Sequence, residues 1–161
     1  MEGSWDAEGV GRLVLAALFG GVLGLPSRSQ PGGLRTHAMV CAGSALFALS
    51  AVHVAGPTSA HLVSVVQGVA GGIGFIGAAT VLKRGPRIYG VSVASSIWIS
   101  GAIGCEFGMG RAGFAVLAVL MMTTLNVLYN VLERKYVGFQ RKVPVEGEPE
   151  PGGPQDLEPH H

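Results

Sequence analysis

Residues 68–82 read Gly-Val-Ala-Gly-Gly-Ile-Gly-Phe-Ile-Gly-Ala-Ala-Thr-Val-Leu, and a basic connector, 83–87, separates them from a second apolar segment, 91–107. Both apolar segments carry small residues at helical spacing. In water each such glycine would cost a helix about 1 kcal/mol relative to alanine, whereas in lipid it lets two helix backbones pack closely. The stretch 68–108 therefore predicts a tight helical hairpin inside a membrane. The glycines that we expect to pack helices together are Gly20, Gly24, Gly68, Gly72, Gly74, Gly77, Gly104 and Gly108.

The same stretch contains the pattern Gly72-x-Gly74-x-x-Gly77, which matches the fingerprint of dinucleotide-binding proteins. That fingerprint indicates a nucleotide site where it follows a strand and where an acidic residue comes about 20 positions later. Residues 92–100 contain no acid, and no strand pattern precedes the glycines. We therefore expect packing glycines here, no bound cofactor and no nucleic-acid partner.

The composition favours a membrane protein. The chain has 161 residues, enough for one compact domain, and only 13% of them are charged. Its mean hydropathy is +0.45. Cys41 and Cys105 both lie in apolar segments, which indicates neither a disulfide framework nor a zinc site.

Five apolar segments predict an all-α transmembrane helix bundle with five spanning helices. At about 1.5 Å per residue the first segment covers only about 24 Å of a hydrocarbon core of about 30 Å. The alternative is therefore four spans, with the first segment in the membrane interface. The predicted helices are 10–25, 34–54, 61–82, 91–107 and 111–132.

The ends of the chain differ from this apolar body. Residues 1–9 form a short acidic lead, and 10–136 form the predicted transmembrane domain. Residues 137–161 are rich in proline, glycine and acids, a composition that does not support a packed core, so we expect a disordered tail.

Basic residues are distributed as expected for a protein whose amino terminus lies outside the cell and whose tail is cytoplasmic. The loops before the second and fourth helices and the tail hold nine of the eleven basic residues, and the positive-inside rule assigns such segments to the cytoplasm. The opposite side holds only Arg12 and Arg111. The nine are Arg28, Arg35, Lys83, Arg84, Arg87, Arg134, Lys135, Arg141 and Lys142.

The first candidate functional group is Arg35-Thr36-His37, at the start of the second helix. Such donors at a helix amino terminus can bind a lipid headgroup, a phosphate or a partner carboxylate. The alternative interpretation is a topology anchor, in which Arg35 only fixes the orientation of the helix.

A second group of candidates consists of polar side chains on the fourth and fifth helices. The serines of the fourth helix form a stripe that either lines a polar path or makes packing and backbone hydrogen bonds. Asn126 and Asn130 are one turn apart, so they can bond across helices, either to a partner or within the bundle. Glu106 is the single acid between Glu8 and Glu133, too few carboxylates for a magnesium site, and we expect no metal site and no catalytic residues. The serines of this group are Ser92, Ser95, Ser96 and Ser100.

Three stretches resemble the MgtC/SapB family of small bacterial inner-membrane proteins. They are 33–41, Gly-Leu-Arg-Thr-His-Ala-Met-Val-Cys; 72–79, Gly-Ile-Gly-Phe-Ile-Gly-Ala-Ala; and 90–98, Gly-Val-Ser-Val-Ala-Ser-Ser-Ile-Trp, followed by Ala102-Ile-Gly104. Their order and separations also match. The last stretch adds Trp98 to the candidate residues.

The resemblance implies an inner-membrane protein linked to magnesium limitation and, in pathogens, to survival inside phagocytes. It also implies a regulator that binds other membrane proteins, including the proton-translocating ATP synthase, in addition to membrane lipid; a homo-oligomer stays open. The competing hypothesis is a magnesium transporter or channel subunit, with the serine stripe and Glu106 as its path. Neither hypothesis is enzymatic.

This chain departs from the family pattern in three places. The family usually has an acid and an arginine after the first helix, where this chain has Pro26-Ser27-Arg28. The usual threonine pair after Gly90 is Ser92-Val93, which keeps one hydroxyl. Some relatives carry a soluble carboxyl-terminal domain, and we expect no regulation through such a domain here.

Overall fold

The structure is a computed structural model that describes residues 3–27, 33–84 and 87–136. In these ranges the helices are long and the one sheet is a two-stranded hairpin. The elements are α1 (Gly3–Gly24), a 3-10 turn (Leu25–Ser27), α2 (Leu34–Ala55), α3 (Ala60–Ala78), β1 (Leu82–Arg84), β2 (Arg87–Tyr89), α4 (Val91–Gly108) and α5 (Ala112–Tyr136).

All five predicted helices are present, and each is long and apolar enough to cross a membrane by length and composition. The predicted all-α transmembrane bundle is therefore confirmed. The first helix is longer than predicted, because the acidic lead is helical from Gly3 onward. Its candidate span, Ala7–Ser27, has 21 residues and covers about 32 Å, so the length that suggested a four-span alternative does not apply.

The end of the third helix and the connector that follows it differ from the prediction. α3 ends at Ala78, four residues earlier than predicted, and the Thr80 hydroxyl donates to the Gly77 carbonyl over 2.7 Å. The chain then forms an antiparallel hairpin in which Leu82 pairs with Tyr89. Residues 83–84 and 87–89 of the predicted loop thus lie in paired strands.

The turn into α4 depends on Gly90. Its φ of +87° lies in the left-handed region, which favours glycine. A Cβ built there would lie 2.0 Å from the carbonyl oxygen of Thr80. The end of α3 and the start of α4 are therefore held together at a backbone contact that only glycine permits.

Helix α2 occupies the centre of the bundle. It lies antiparallel to α1 and parallel to α4, and α3 packs on the α2–α4 pair from the other side. The larger core cluster contains Cys41, Ile103 and Phe107, and Phe107 stacks on Phe19 with 5.5 Å between ring centroids. A smaller cluster joins Ile73 of α3 to α4.

The glycines that we predicted to pack helices together fall into two classes. Five lie against a neighbouring helix, and the other three do not, which contradicts the prediction for those three. A Cβ on Gly104 would lie 2.2 Å from the Cys41 carbonyl oxygen, and one on Gly20 would lie 2.5 Å from the Cys41 Cβ. Gly24 and Gly108 are equally close to α2, and Gly77 is in ordinary contact with Ala94 of α4. A Cβ on any of three glycines of α3 would meet nothing within 4 Å, so these positions do not pack helices within the described part of the chain. They are Gly68, Gly72 and Gly74.

The chain divides into two compact units, Met1–Val127 and Leu128–His161. In the first unit, α5 contributes Ala115 and Val119 to the larger core cluster. The described part of the second unit is the end of α5, where the side chains of 128–133 are exposed. The tail that we predict to be disordered, 137–161, lies outside the described residues.

Candidate functional site

His37 is the centre of the candidate site at the start of α2. Its side chain is fully buried, and its Nδ1 lies 2.9 Å from the carbonyl oxygen of Gly33. Its Nε2 lies 2.8 Å from the hydroxyl oxygen of Ser96 on α4. Gly24 of α1 closes the third side, where an added Cβ would lie 3.1 Å from the His37 Cβ. His37 therefore sits where α1, α2 and α4 meet.

The partners of His37 assign the hydrogen positions of the neutral ring. A carbonyl oxygen only accepts, so Nδ1 carries the hydrogen and donates to Gly33. In the neutral ring Nε2 is then an acceptor, and it faces the Ser96 hydroxyl. Ser96 Oγ also lies 2.9 Å from the Val93 carbonyl oxygen, so its single hydrogen has two acceptors within reach. The pair gives α2 and α4 a polar link, and the Cys105 thiol adds a second one by donating to the Ser44 carbonyl over 3.9 Å.

Arg35 and Thr36, the other two residues that the sequence groups with His37, are not buried as His37 is. Arg35 is exposed and Thr36 is half-buried. One residue's difference along a helix rotates the side chain by about 100°, so three consecutive residues cannot share one face. The trio is therefore divided into a buried link, His37, and an exposed cation, Arg35.

The serine hydroxyls of α4 bond mainly to their own helix. Ser95 donates to the Val91 carbonyl over 3.0 Å, and Ser100 donates to the Ser96 carbonyl over 3.0 Å. Ser100 is fully buried, whereas Ser92 and Ser95 are exposed. The Ser95 and Ser100 hydroxyls therefore donate to backbone oxygens of α4 and not to one another.

The remaining candidates lie apart from His37. Trp98 is half exposed on α4. Asn126 is half-buried on α5, and Asn130 is exposed and belongs to the second unit.

Two ion pairs lie at the opposite end of the bundle, and the sequence reasoning did not predict them. Arg12 pairs with Glu8 one turn earlier and donates to the Gly108 carbonyl at the end of α4 over 3.2 Å. The i, i+4 spacing of Glu8 and Arg12 is the sequence signal that predicts such a pair. The link to Gly108 has no local signal, because it joins residues 96 positions apart.

The second ion pair joins Glu106 to Arg111. Arg111 Nη2 donates to Glu106 Oε1 over 2.7 Å, and Nε lies 2.6 Å from Oε2. Oε2 has no hydrogen bond of good geometry, so this second contact is ionic only. Arg12 and Arg111 are thus both paired with acids, so their charges are compensated locally.

Metal-ligating side chains do not cluster in the described ranges 3–27, 33–84 and 87–136. No group of three or more histidines, cysteines, aspartates or glutamates there is close enough to hold a metal ion.

The fold and the site define a multi-pass membrane protein built around a central helix, α2, which small residues and one buried histidine join to its neighbours. The chain belongs to the MgtC family, whose model matches residues 13–135.

Curated relatives agree with this assignment. Protein SrpB of Synechococcus elongatus is 39% identical over 113 residues, which are 62% of this chain and 62% of that protein. "Putative magnesium transporter YhiD" of Escherichia coli K12 is 36% identical over 141 residues, 80% of this chain and 64% of the relative. Protein MgtC of Salmonella typhimurium is 33% identical over 122 residues, 72% of this chain and 50% of the relative. The chain thus spans between 50 and 64% of the length of these relatives. No solved structure matches it.

Proposed function

We propose that this chain is an integral membrane protein of magnesium homeostasis or low-magnesium adaptation that modulates a partner membrane complex and has no enzymatic activity. The family membership supports the membrane role. The link to magnesium is supported by the name of the E. coli relative. The unequal distribution of basic residues between the two sides of the membrane supports an orientation with the amino terminus outside and the tail in the cytoplasm.

The observation that carries the modulator hypothesis is the close packing of α1, α2 and α4. Cβ atoms built on Gly20, Gly104 and Gly108 would lie 2.2–2.5 Å from atoms of α2. Backbones this close leave no space for a hydrated ion between these helices. The interior therefore favours a protein that acts through its outer surface.

The carboxylate chemistry agrees with this proposal. Magnesium usually binds through hard oxygen ligands that include carboxylates. Glu106, the acid that a transport path would use, has both oxygens in contact with Arg111. Its charge is therefore already compensated by a guanidinium.

The surface that we propose for the partner is the outer face of α3 and the adjoining face of α2. An apolar groove of about 640 Å³ lies there, with Gly68 and Gly72 in its wall and Phe47 at its edge. Glycines that meet nothing inside the chain give a second membrane helix a place to approach closely. The resemblance proposes the ATP synthase as one such partner, and a second copy of this chain is another.

A growth assay tests the proposal. A strain that lacks the gene is grown in low magnesium and complemented with the wild-type chain, with Gly72→Leu and with Phe114→Leu, a matched change at an exposed apolar position of α5. We expect Gly72→Leu to insert normally but to fail to restore growth, because it fills the proposed docking face. Phe114→Leu should restore growth.

Two outcomes contradict the proposal. If the wild-type chain does not improve growth in low magnesium, the magnesium link is wrong. If Gly72→Leu restores full growth at a normal membrane level, the α3 face is not the functional surface.

The alternative function is a magnesium transporter or channel subunit, which the name of the E. coli relative favours. In that case purified protein should carry magnesium across vesicles without any partner.

A further inference from the structure

The β-hairpin joins two helices that are each long and apolar enough to span a membrane. α3 ends at Ala78 and α4 begins at Val91, so the hairpin connects the neighbouring ends of two candidate membrane spans. Each strand has three residues, and the two steps from the first to the third cover about 7 Å. The headgroup layer on each side of a bilayer is about 5–8 Å thick. The strands are therefore about as long as this layer is thick.

The register pairs of the hairpin change from apolar to basic along its length. Leu82 and Tyr89 form the pair at the base, and their side chains are 52% and 47% exposed. Lys83 pairs with Ile88, whose side chain is 63% exposed. Arg84 and Arg87 form the pair next to the turn. A segment with exposed leucine, isoleucine and tyrosine beside lysine has the composition of a membrane interface. In such an interface tyrosine lies at headgroup level, and lysine extends toward the water.

The base of the hairpin is anchored to both helices. Gly90 has no room for a Cβ against the Thr80 carbonyl, and the Thr80 hydroxyl bonds to Gly77 of α3. The Ala94 amide donates to the Gly90 carbonyl over 2.9 Å and begins α4. A backbone held in this way at its base has less to be ordered on binding.

From this placement we propose that the hairpin is a binding surface for anionic phospholipid headgroups. Its base lies at the boundary of the acyl chains, and its three basic residues, Lys83, Arg84 and Arg87, attract the headgroup phosphates. No acidic residue lies between Ala78 and Val91 to oppose them. Each basic residue at a membrane surface raises binding about fivefold, so three together raise it about a hundredfold. This inference does not depend on the proposed function.

A fluorescent label at position 88 tests the proposal. Cys41 and Cys105 are buried, so a polar maleimide should react selectively with the thiol introduced by Ile88→Cys in the full chain. The labelled protein is placed in phosphatidylcholine vesicles, and nitroxide-headgroup phosphatidylglycerol or nitroxide-headgroup phosphatidylcholine is added. We expect the phosphatidylglycerol to quench at a mole fraction about a hundredfold lower. Equal quenching by the two lipids would overturn the proposal.

Two variants of the labelled protein test the role of charge. In Lys83→Gln/Arg84→Gln/Arg87→Gln the preference for phosphatidylglycerol should disappear, and in Arg84→Lys/Arg87→Lys it should stay. An unchanged preference in the first variant, or a lost one in the second, would contradict binding by charge. If the first variant fails to insert, a salt titration of the labelled parent replaces it. The Debye screening length falls from about 10 Å at 0.1 M salt to about 3 Å at 1 M. The preference for phosphatidylglycerol should therefore decrease as salt is added. A preference that salt does not change would overturn the proposal.

Two further outcomes would assign the hairpin another ligand. If inorganic phosphate at constant ionic strength displaces the phosphatidylglycerol, the hairpin binds a free anion and the lipid proposal is wrong. If the label shows no lipid preference in pure vesicles but is shielded from both quenchers in native membranes, the hairpin docks a protein.

Discussion

His37 Nε2 lies 2.8 Å from Ser96 Oγ, so a fully buried ring of α2 is bound to α4 across 59 positions of sequence. The same interface contains Gly104, whose missing side chain lets α4 approach the Cys41 carbonyl. This polar link and the small-residue contact thus both help to hold the two parallel helices together. Since both lie in the interior, changes there should affect folding before they affect binding.

Ser96→Ala should destabilise the protein by about 1 kcal/mol, because it leaves the buried Nε2 of His37 without a donor. Ser95→Ala is the matched control: Ser95 is exposed, and its hydroxyl bonds only to the Val91 carbonyl of its own helix. Thermal unfolding in detergent measures both. Equal melting temperatures for the two variants would show that the His37–Ser96 bond does not contribute.

Gly104→Leu should reduce the amount of folded protein, since even a Cβ there would lie 2.2 Å from a backbone oxygen. Overpacking of this kind costs about 1–3 kcal/mol or more. Gly72→Leu should leave the yield and melting temperature unchanged, because nothing lies within 4 Å of the added Cβ. A fall in yield for Gly72→Leu as large as that for Gly104→Leu would contradict the division of the glycines into two classes.

Gly90→Ala should destabilise the protein by more than about 1–2 kcal/mol, because it combines a left-handed backbone with the contact to Thr80. Gly113→Ala, a control within α5, should be neutral or stabilising by up to about 1 kcal/mol, since alanine is the better helix former and the site is open. Melting temperatures of the two variants should therefore move apart. A Gly90→Ala protein as stable as the wild type would mean that the junction of α3 and α4 is not held as described.

The variant Arg35→Lys tests whether Arg35 only fixes the orientation of the helix or binds a carboxylate or phosphate. Lysine keeps the positive charge and reaches the membrane surface as well as arginine does, but it cannot form two parallel hydrogen bonds with a carboxylate or phosphate. We expect weaker growth in low magnesium at a normal membrane level. Arg134→Lys is the control and should restore growth fully. Full complementation by Arg35→Lys would show that Arg35 acts only as a topology anchor.

The helices could be predicted from the sequence because length and hydropathy are local properties. The trio of Arg35, Thr36 and His37 also marked the start of the central helix correctly. The first helix was predicted too short because acids of the lead such as Glu8 lower the local hydropathy, whereas Arg12 already lay inside the predicted helix. The structure pairs them on one helix face, where each compensates the other.

The partners of the small residues could not be predicted in this way. A glycine stripe indicates close packing but does not say which helix fills it. Gly104 faces α2, which is distant in sequence, whereas Gly72 faces outward although its spacing is equally regular. The His37–Ser96 contact is of the same kind, because it depends on the lateral order of the helices. The hairpin was missed because three-residue strands are too short to give a periodic signal.

Magnesium movement across a membrane is the most direct test of the central claim that this chain modulates a partner and does not itself carry the ion. Purified protein is reconstituted into vesicles that contain a magnesium-sensitive dye, and an inward magnesium gradient is applied. The account predicts uptake equal to that of empty vesicles for both the wild type and Glu106→Gln. Uptake above empty vesicles in the wild type, lost in Glu106→Gln, would contradict the account and establish a transporter.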